Sequence, residues 1–278
     1  MRDDFLPFAR PSVSEDAINE VVESIRSGWL AMGPKTIRFE ENFSKYTGAS
    51  WSVSVNSATA GLHTTLLALD IGPGDEVITT PMTFAATVNT IMFAGARPVL
   101  ADIDRNTLNI DPDKIEKAVT KNTKAIIPVH FAGMPCDMDR IEAIADKYGL
   151  AIIEDAAHAL GASYKGRKIG ADRGKRRASV FSFHPTKNIT TGEGGMICTG
   201  DEALAEKATV LRQNGMSKGA WNRYAAKGSA NYDIFFPGLK YTMMDIQAAI
   251  GDSQLRELGS FNARRKAIVS FYMEELSK

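Results

Sequence analysis

Short apolar runs recur along this chain, separated by stretches in which apolar residues fall three or four positions apart. The runs near 52–55, 76–80, 98–103, 124–129, 150–154, 180–183 and 196–199 predict strands. Between them, 59–69, 84–93, 112–119 and 137–148 predict helices, and 14–27 and 36–46 predict two more ahead of the first strand. Leu62, Leu66 and Leu69 mark one such helical face. Asp111-Pro112 places a capping side chain before a proline at the first helical position. Strands alternating with helices predict an α/β fold, a mostly parallel sheet covered by helices on both faces. Residues 217–231, rich in small and polar side chains, read as a long surface loop. Two helical stretches follow, 245–258 and 262–276. Ile246, Ala249 and Ile250 form an apolar stripe on the first; Ala267, Ile268, Phe271 and Tyr272 form one on the second.

Composition narrows the function classes. Lys plus Arg and Asp plus Glu both total 33, which leaves no net electrostatic footprint for nucleic acid or an anionic membrane surface. The basic run 172–177 reads as a solvated loop. No apolar run approaches the ~18 residues of a membrane span, and the amino terminus MRDDFLPFARP lacks the apolar core of a signal peptide. Neither nucleic acid nor membrane is expected as a partner. Cys136 and Cys198 have no zinc or redox spacing, which suits a reducing cytoplasm, and the four histidines are scattered without metal spacing. No G-x-G-x-x-G follows the first strand, which disfavours a nicotinamide site.

Candidate chemistry clusters at strand exits. Lys187 follows the apolar run 179–183 and precedes a glycine-rich turn. An amine there is poorly hydrated, so its neutral, nucleophilic form becomes accessible, as a Schiff-base lysine requires. Asp155 follows the apolar run 150–153, at the edge where ligands of open α/β sheets bind, with His158 close behind. Ser57 ends an alternating strand and opens a helix, where free N–H groups and the helix dipole favour an anion; Thr59 and Ser182 add hydroxyls. A lysine, an acid to protonate a pyridine nitrogen, and a phosphate cradle together suit pyridoxal 5'-phosphate. Each residue alone also has a plainer reading: a solvated loop lysine, a surface or capping Asp, an ordinary Ser N-cap.

Several motifs, in order, carry a family resemblance: LPFARPSVSE, SGWLAMGPK, VNSATAGLH, GDEVITTPMTFAAT, AIIPVHFAGMPCDMD, EDAAHALGASYKG, FSFHPTKNITTGEGG and PGLKYTMMDIQAAIG. The chain resembles the DegT-type sugar-nucleotide aminotransferases, pyridoxal-phosphate enzymes of fold type I, and within them the 4-aminotransferases of UDP-linked sugars. The resemblance implies that Lys187 holds the cofactor covalently and that Asp155 pairs with its pyridine nitrogen. It also implies that Phe84 lies against the ring, and that Ala58, Thr59 and Ser182 join Ser57 around the phosphate. His158 matches a variant frequent among enzymes that aminate 4-keto sugars. Trp29 and His184 are implied substrate contacts. The implied unit is a homodimer with shared active sites, in which Lys240 meets the neighbour's phosphate site. Its substrates are a nucleotide sugar and an amino-acid donor such as glutamate, and its products serve surface polysaccharide or lipopolysaccharide. A sugar dehydratase of the same fold is disfavoured, because such relatives carry histidine where Lys187 stands.

Departures stand at Ala31-Met32, Asn214, Lys240 and Thr242, positions near substrate or phosphate in the family, and they leave the sugar open. The resemblance further implies residues 1–245 as the cofactor-binding large domain and 246–278 as helices leading into a truncated C-terminal domain. On that expectation both terminal stripes stand exposed and turnover is weak. The alternative is a non-catalytic, cofactor-binding or regulatory remnant.

Overall fold

The computed structural model describes residues 5, 7–217 and 231–277, so the polar stretch 217–231 lies almost wholly outside the described residues. The elements run α1 (Glu15–Ser27), α2 (Pro34–Thr47), β1 (Trp51–Val55), α3 (Ala58–Ala68), β2 (Glu76–Thr79), α4 (Ala85–Phe93) and β3 (Arg97–Leu100). They continue with α5 (Pro112–Ala118), β4 (Thr123–Ile127), α6 (Met138–Tyr148), β5 (Ala151–Asp155), β6 (Ser163–Tyr164), β7 (Arg167–Lys168), β8 (Arg177–Ser182) and β9 (Gly195–Thr199). Two helices close the series, α7 (Glu202–Leu211) and α8 (Asp245–Leu276).

Seven strands form one sheet in the order β1-β9-β8-β5-β4-β2-β3. The pairs β2–β3, β2–β4, β4–β5 and β5–β8 are parallel, whereas β9 runs antiparallel to both β8 and β1. No helix separates β8 from β9, and strands joined directly can only return antiparallel. The expected mostly parallel sheet is therefore present, with one reversed strand.

Both faces of the sheet are apolar because side chains alternate along each strand. Ile153, Val180 and Ile197 join the core under α3, α4 and α7, with Leu62, Leu66, Ile91 and Leu204. Their neighbours Phe181, Met196 and Cys198 face the opposite way, into the aromatic cluster of Phe39, Phe43 and Phe183 beneath α2 and α8. Ile152 packs with Ile78, Ile115, Ile126 and Ile141 under α5 and α6.

One contact sets the geometry of the sheet edge. A Cβ on Gly195 would stand 2.7 Å from the main-chain N of Ala58 and 2.8 Å from the carbonyl oxygen of Phe181. The start of β9 thus touches the turn into α3 backbone to backbone. Gly195→Ala is expected to destabilise the protein by ~1–3 kcal/mol, the usual range for overpacking. Urea titration at constant m checks this; an unchanged midpoint would show that the turn has slack.

The two expected terminal helices are one helix of 32 residues. Its first residue, Asp245, is buried and accepts hydrogen bonds from the main-chain N–H groups of Gly33 (2.7 Å), Lys35 (3.1 Å) and Thr36 (2.9 Å). That carboxylate caps α2, whose own N-cap, Gly33, has no side chain to do so. The expectation of an exposed stripe on the first half of α8 is overturned. Ala249 is buried and Ile246 and Ile250 are half-buried, because this half packs on α1 and α2 and sends Ala248, Leu255 and Leu258 into the aromatic core. The second stripe does stand exposed, including Ile268, Phe271 and Tyr272. Among the described residues no helix is long and apolar enough to cross a membrane.

Candidate active site

β1 and β8 both pair antiparallel with β9 and so point the same way, as do β5 and β4 beside β8. The carboxyl ends of these strands therefore open on one edge of the sheet, where ligands of such sheets bind. A cavity of about 540 Å³ lies there. It is lined by nine residues expected from the sequence: Ser57, Ala58, Thr59, Phe84, Asp155, His158, Ser182, His184 and Lys187. Trp29 and Lys240 are not among its lining. Trp29 is half-buried at the Gly33 turn, and Lys240 is exposed, its main chain bridged to Gln213.

Asp155 closes β5 and is 7% exposed. Its Oδ2 accepts a hydrogen bond from Thr87 Oγ1 at 2.7 Å and its Oδ1 one from the Ala157 N–H at 3.2 Å. With the Thr87 proton spent on the carboxylate, the 2.8 Å bond between Thr83 and Thr87 has Thr83 as donor. This hydroxyl chain on the α4 approach holds the carboxylate in one orientation. Neither threonine was expected. The available signal was a pair of hydroxyls one helical turn apart, bracketing Phe84.

Lys187 sits on the loop between β8 and β9. The base of that loop is closed by Phe183 N–H to the Gly194 carbonyl (2.9 Å) and Thr191 N–H to the Phe183 carbonyl (3.0 Å). Inside it, the Lys187 N–H donates to the His184 carbonyl at 2.9 Å. Burial pushes the Lys187 ammonium below the ordinary lysine range, and the charge of Asp155 offsets part of that shift. Burial also lowers the pKa of His158; the Lys187 charge adds to the shift and Asp155 opposes it. An amine, an imidazole and a carboxylate thus act on one another across one cavity.

Ser57 caps α3, its Oγ accepting the Ala60 N–H at 3.1 Å. The plainer N-cap reading is therefore correct as geometry, and it leaves the hydroxyl proton free to donate. The first N–H groups of α3 have no acceptor within the helix. With Ser57, Thr59 and Ser182 they form a donor set that suits a phosphate dianion. Phe84 is 80% exposed although it lines the cavity, so its ring presents an apolar face that none of the described residues covers. Phosphate donors, an uncovered aromatic face, an oriented carboxylate and an amine of lowered basicity fit pyridoxal phosphate. Among the described residues no group of three His, Cys, Asp or Glu is placed to hold a metal ion.

In the cavity wall, which His130 lines, lies a buried pair that nothing in the sequence singles out. His130 Nδ1 accepts the Cys136 N–H at 3.1 Å, which directs a protonated Nε2 at Glu154 Oε2, 2.8 Å away. Ser179 Oγ donates to the other carboxylate oxygen at 2.9 Å. Burial pushes Glu154 up, but the bond from His130 and the nearby Arg173 more than offset it, leaving Glu154 below its ordinary value. Such a carboxylate contributes stability above its unfolded pKa and loses it as pH falls through the lower folded value. His130→Ala is expected to cost ~3–5 kcal/mol, as when one partner of a buried pair is removed. In Glu154→Gln the loss of stability on acidification below pH ~4.5 should be shallower than in the unaltered protein. Urea titrations between pH 3 and 7 read both effects; parallel acid limbs would rule out the contribution of Glu154.

A family model described as the DegT/DnrJ/EryC1/StrS aminotransferase family matches residues 11–278. An uncharacterised protein of Methanocaldococcus jannaschii is 54% identical over 275 residues, spanning 99% of this chain and 70% of its own length. The spore coat polysaccharide biosynthesis protein SpsC of Bacillus subtilis is 53% identical over 271 residues, spanning 98% of this chain and 69% of SpsC. Among solved structures, Spr1654 of Streptococcus pneumoniae, assigned as a sugar aminotransferase, superposes in its PLP form with a TM-score of 0.88 at 38% identity. That match covers 98% of this chain and 71% of Spr1654. The same protein in its PMP form gives 0.88 at 39% identity, over 96% and 71%. The fold is that of a fold type I aminotransferase. The chain belongs to the DegT/DnrJ/EryC1/StrS aminotransferase family, whose enzymes depend on pyridoxal phosphate.

Proposed function

We propose that this enzyme moves an amino group from an amino acid, with glutamate the expected donor, to the 4-keto group of a nucleotide-linked sugar. The product serves surface polysaccharide or lipopolysaccharide assembly. The observation that carries this reading is the convergence of Lys187, Asp155 and the α3 amino terminus on one cavity. The role of SpsC in spore coat polysaccharide biosynthesis and the sugar aminotransferase assignment of Spr1654 support a sugar as the acceptor.

In this reading Ser57, Ala58, Thr59 and Ser182 hold the cofactor phosphate, Phe84 covers one ring face, and Lys187 holds the cofactor covalently. Bound there, pyridoxal phosphate supplies an electron sink for charge developing on a substrate carbon as its proton leaves. Asp155 keeps a proton at the pyridine nitrogen, and the hydrogen bonds from Thr87 and Ala157 keep its carboxylate aimed. Lys187 Nζ, once the donor's amine has displaced it from the cofactor, would take the proton from the donor carbon and return one later; its lowered basicity brings it nearer the working pH, where such transfers are most efficient. His158, its pKa lowered chiefly by burial, orients the ring. His184, exposed at the cavity rim and hydrogen-bonded through Nδ1 to Thr186 Oγ1 (3.0 Å), meets the substrate. Trp29 receives no role in this protomer's cavity.

We assign Lys240 to the phosphate site of a second copy in a shared-site homodimer. The segment that carries it is tied to the β1 exit, where the Asn56 N–H donates to the Tyr241 carbonyl at 2.9 Å.

A panel of UDP- and dTDP-linked 4-keto and 3-keto sugars, offered with glutamate and read by mass spectrometry and NMR, tests the reading. Amines at C4 are expected. Amination confined to 3-keto sugars, or none while keto acids are still aminated, would overturn it. Sedimentation of the holoenzyme should show a dimer.

A further inference from the structure

A second groove, of about 300 Å³, shares a wall with the cavity. It lies between residues 9–12, the 185–190 loop and the middle of α8, and both Thr186 and Lys187 line it as well as the main cavity. Its walls are tied together. Gln254 Nε2 donates to the Ser12 carbonyl at 2.6 Å, and Arg265 Nη2 donates to the Asn188 carbonyl at 3.1 Å. The lining carries two permanently charged guanidinium groups, Arg10 and Arg265, beside the Lys187 wall, and no carboxylate. That imbalance stands out in a chain whose acidic and basic side chains are equal in number, 33 of each. Arg265 spends one N–H on Asn262 Oδ1 (3.1 Å) and one on the Asn188 carbonyl, which among the described residues leaves three of the five guanidinium donors unspent.

Planar, permanently charged guanidinium groups recognise oxyanions through paired hydrogen bonds. We propose that Arg10 and Arg265 form an oxyanion subsite that holds a substrate by its phosphate or carboxylate group while the reacting carbon lies on the other side of the Lys187 wall. The inference rests on the reading of the neighbouring cavity as the amino-transfer site. Two substrates of that reaction carry such a group: the nucleotide sugar, through its diphosphate, and the amino donor, through its carboxylates.

The test uses the full chain loaded with pyridoxal phosphate, so that the cofactor's own phosphate site is filled. UDP and, separately, the unreactive dicarboxylate glutarate are titrated by calorimetry into the unaltered protein and into Arg10→Gln, Arg265→Gln and Arg265→Lys. At least one of the two anions should bind the unaltered protein and lose tenfold or more in affinity in each Gln variant. The Lys variant should recover part of the loss, because it restores charge without the fork. Loss for UDP alone identifies the diphosphate as the ligand; loss for glutarate alone identifies the donor carboxylate. Unaltered thermal midpoints and cofactor content in the variants separate binding from folding. Failure of both anions to bind the unaltered protein, or affinities within twofold across all variants, would overturn the subsite. Sugar amination with no effect of the arginines removes the groove and leaves the activity. Arginine-dependent binding of UDP without any sugar amination does the reverse.

Discussion

Lys187→Ala is expected to lower amino transfer by at least ~10²–10⁴-fold, the usual contribution of a positioned proton-transfer group. It should also abolish borohydride-stable attachment of the cofactor. The structure gives two reasons. The Lys187 amine lies on the cavity wall, where burial has already weakened its hold on a proton. The loop that carries it is closed at its base by the Phe183–Gly194 and Thr191–Phe183 hydrogen bonds, and among the described residues Lys187 is the one lysine that lines the cavity. Lys187→Arg keeps the charge but neither the nucleophile nor a proton acceptor, and should behave like the alanine variant. Peptide mapping after borohydride reduction checks the assignment. Cofactor mass on the peptide containing Lys187 is expected, and a label retained elsewhere in Lys187→Ala would remove the residue from its role.

Asp155→Asn is expected to leave the cofactor bound but slow the glutamate half-reaction by ~10²–10³-fold, the range seen when one preorganised electrostatic partner is removed. An amide cannot hold a proton on the pyridine nitrogen, so the electron-sink property is lost although the shape is kept. The hydrogen bond from Thr87 gives this prediction a graded control. Thr87→Val removes the 2.7 Å donor to Asp155 Oδ2 without touching the charge, and its effect should be smaller. Stopped-flow spectra of the half-reaction measure both. A rate in Asp155→Asn within threefold of the unaltered protein would show that Asp155 does not act on the ring.

The sheet and nine residues of the cavity lining could be read from the chain because both depend on local pattern. Each strand exit is marked by an apolar run ending in a polar residue, and at Asp155 and Ser57 that residue is the one that reaches the cavity. What escaped depends on contacts between distant segments. Thr87 meets Asp155 across 68 positions. His130 meets Glu154 across two strand exits. The reversal of β9, by contrast, has a cue in the chain, because no helical pattern separates the runs 180–183 and 196–199 and a parallel return needs a crossover. The helix α7 was missed although Asp201 caps it and Leu204, Ala208 and Leu211 recur on one face; its short, alanine-rich sequence carries a weak apolar stripe. Between the expected helical stretches 245–258 and 262–276 stands Gly259, where the apolar pattern lapses. A Cβ at Gly259 would meet open space, and one glycine costs a helix only ~1 kcal/mol, so the helix continues through it.

The central claim is that an amino group passes from an amino acid to a sugar through this one site. A single-turnover experiment tests it most directly. The holoenzyme is treated with 15N-glutamate, freed of excess donor, and mixed with one equivalent of a UDP-linked 4-keto sugar. We predict that 15N appears at C4 of the sugar in the unaltered protein and not in Lys187→Ala. Retention of the label on the unaltered protein, with the sugar recovered as the ketone, would contradict the account.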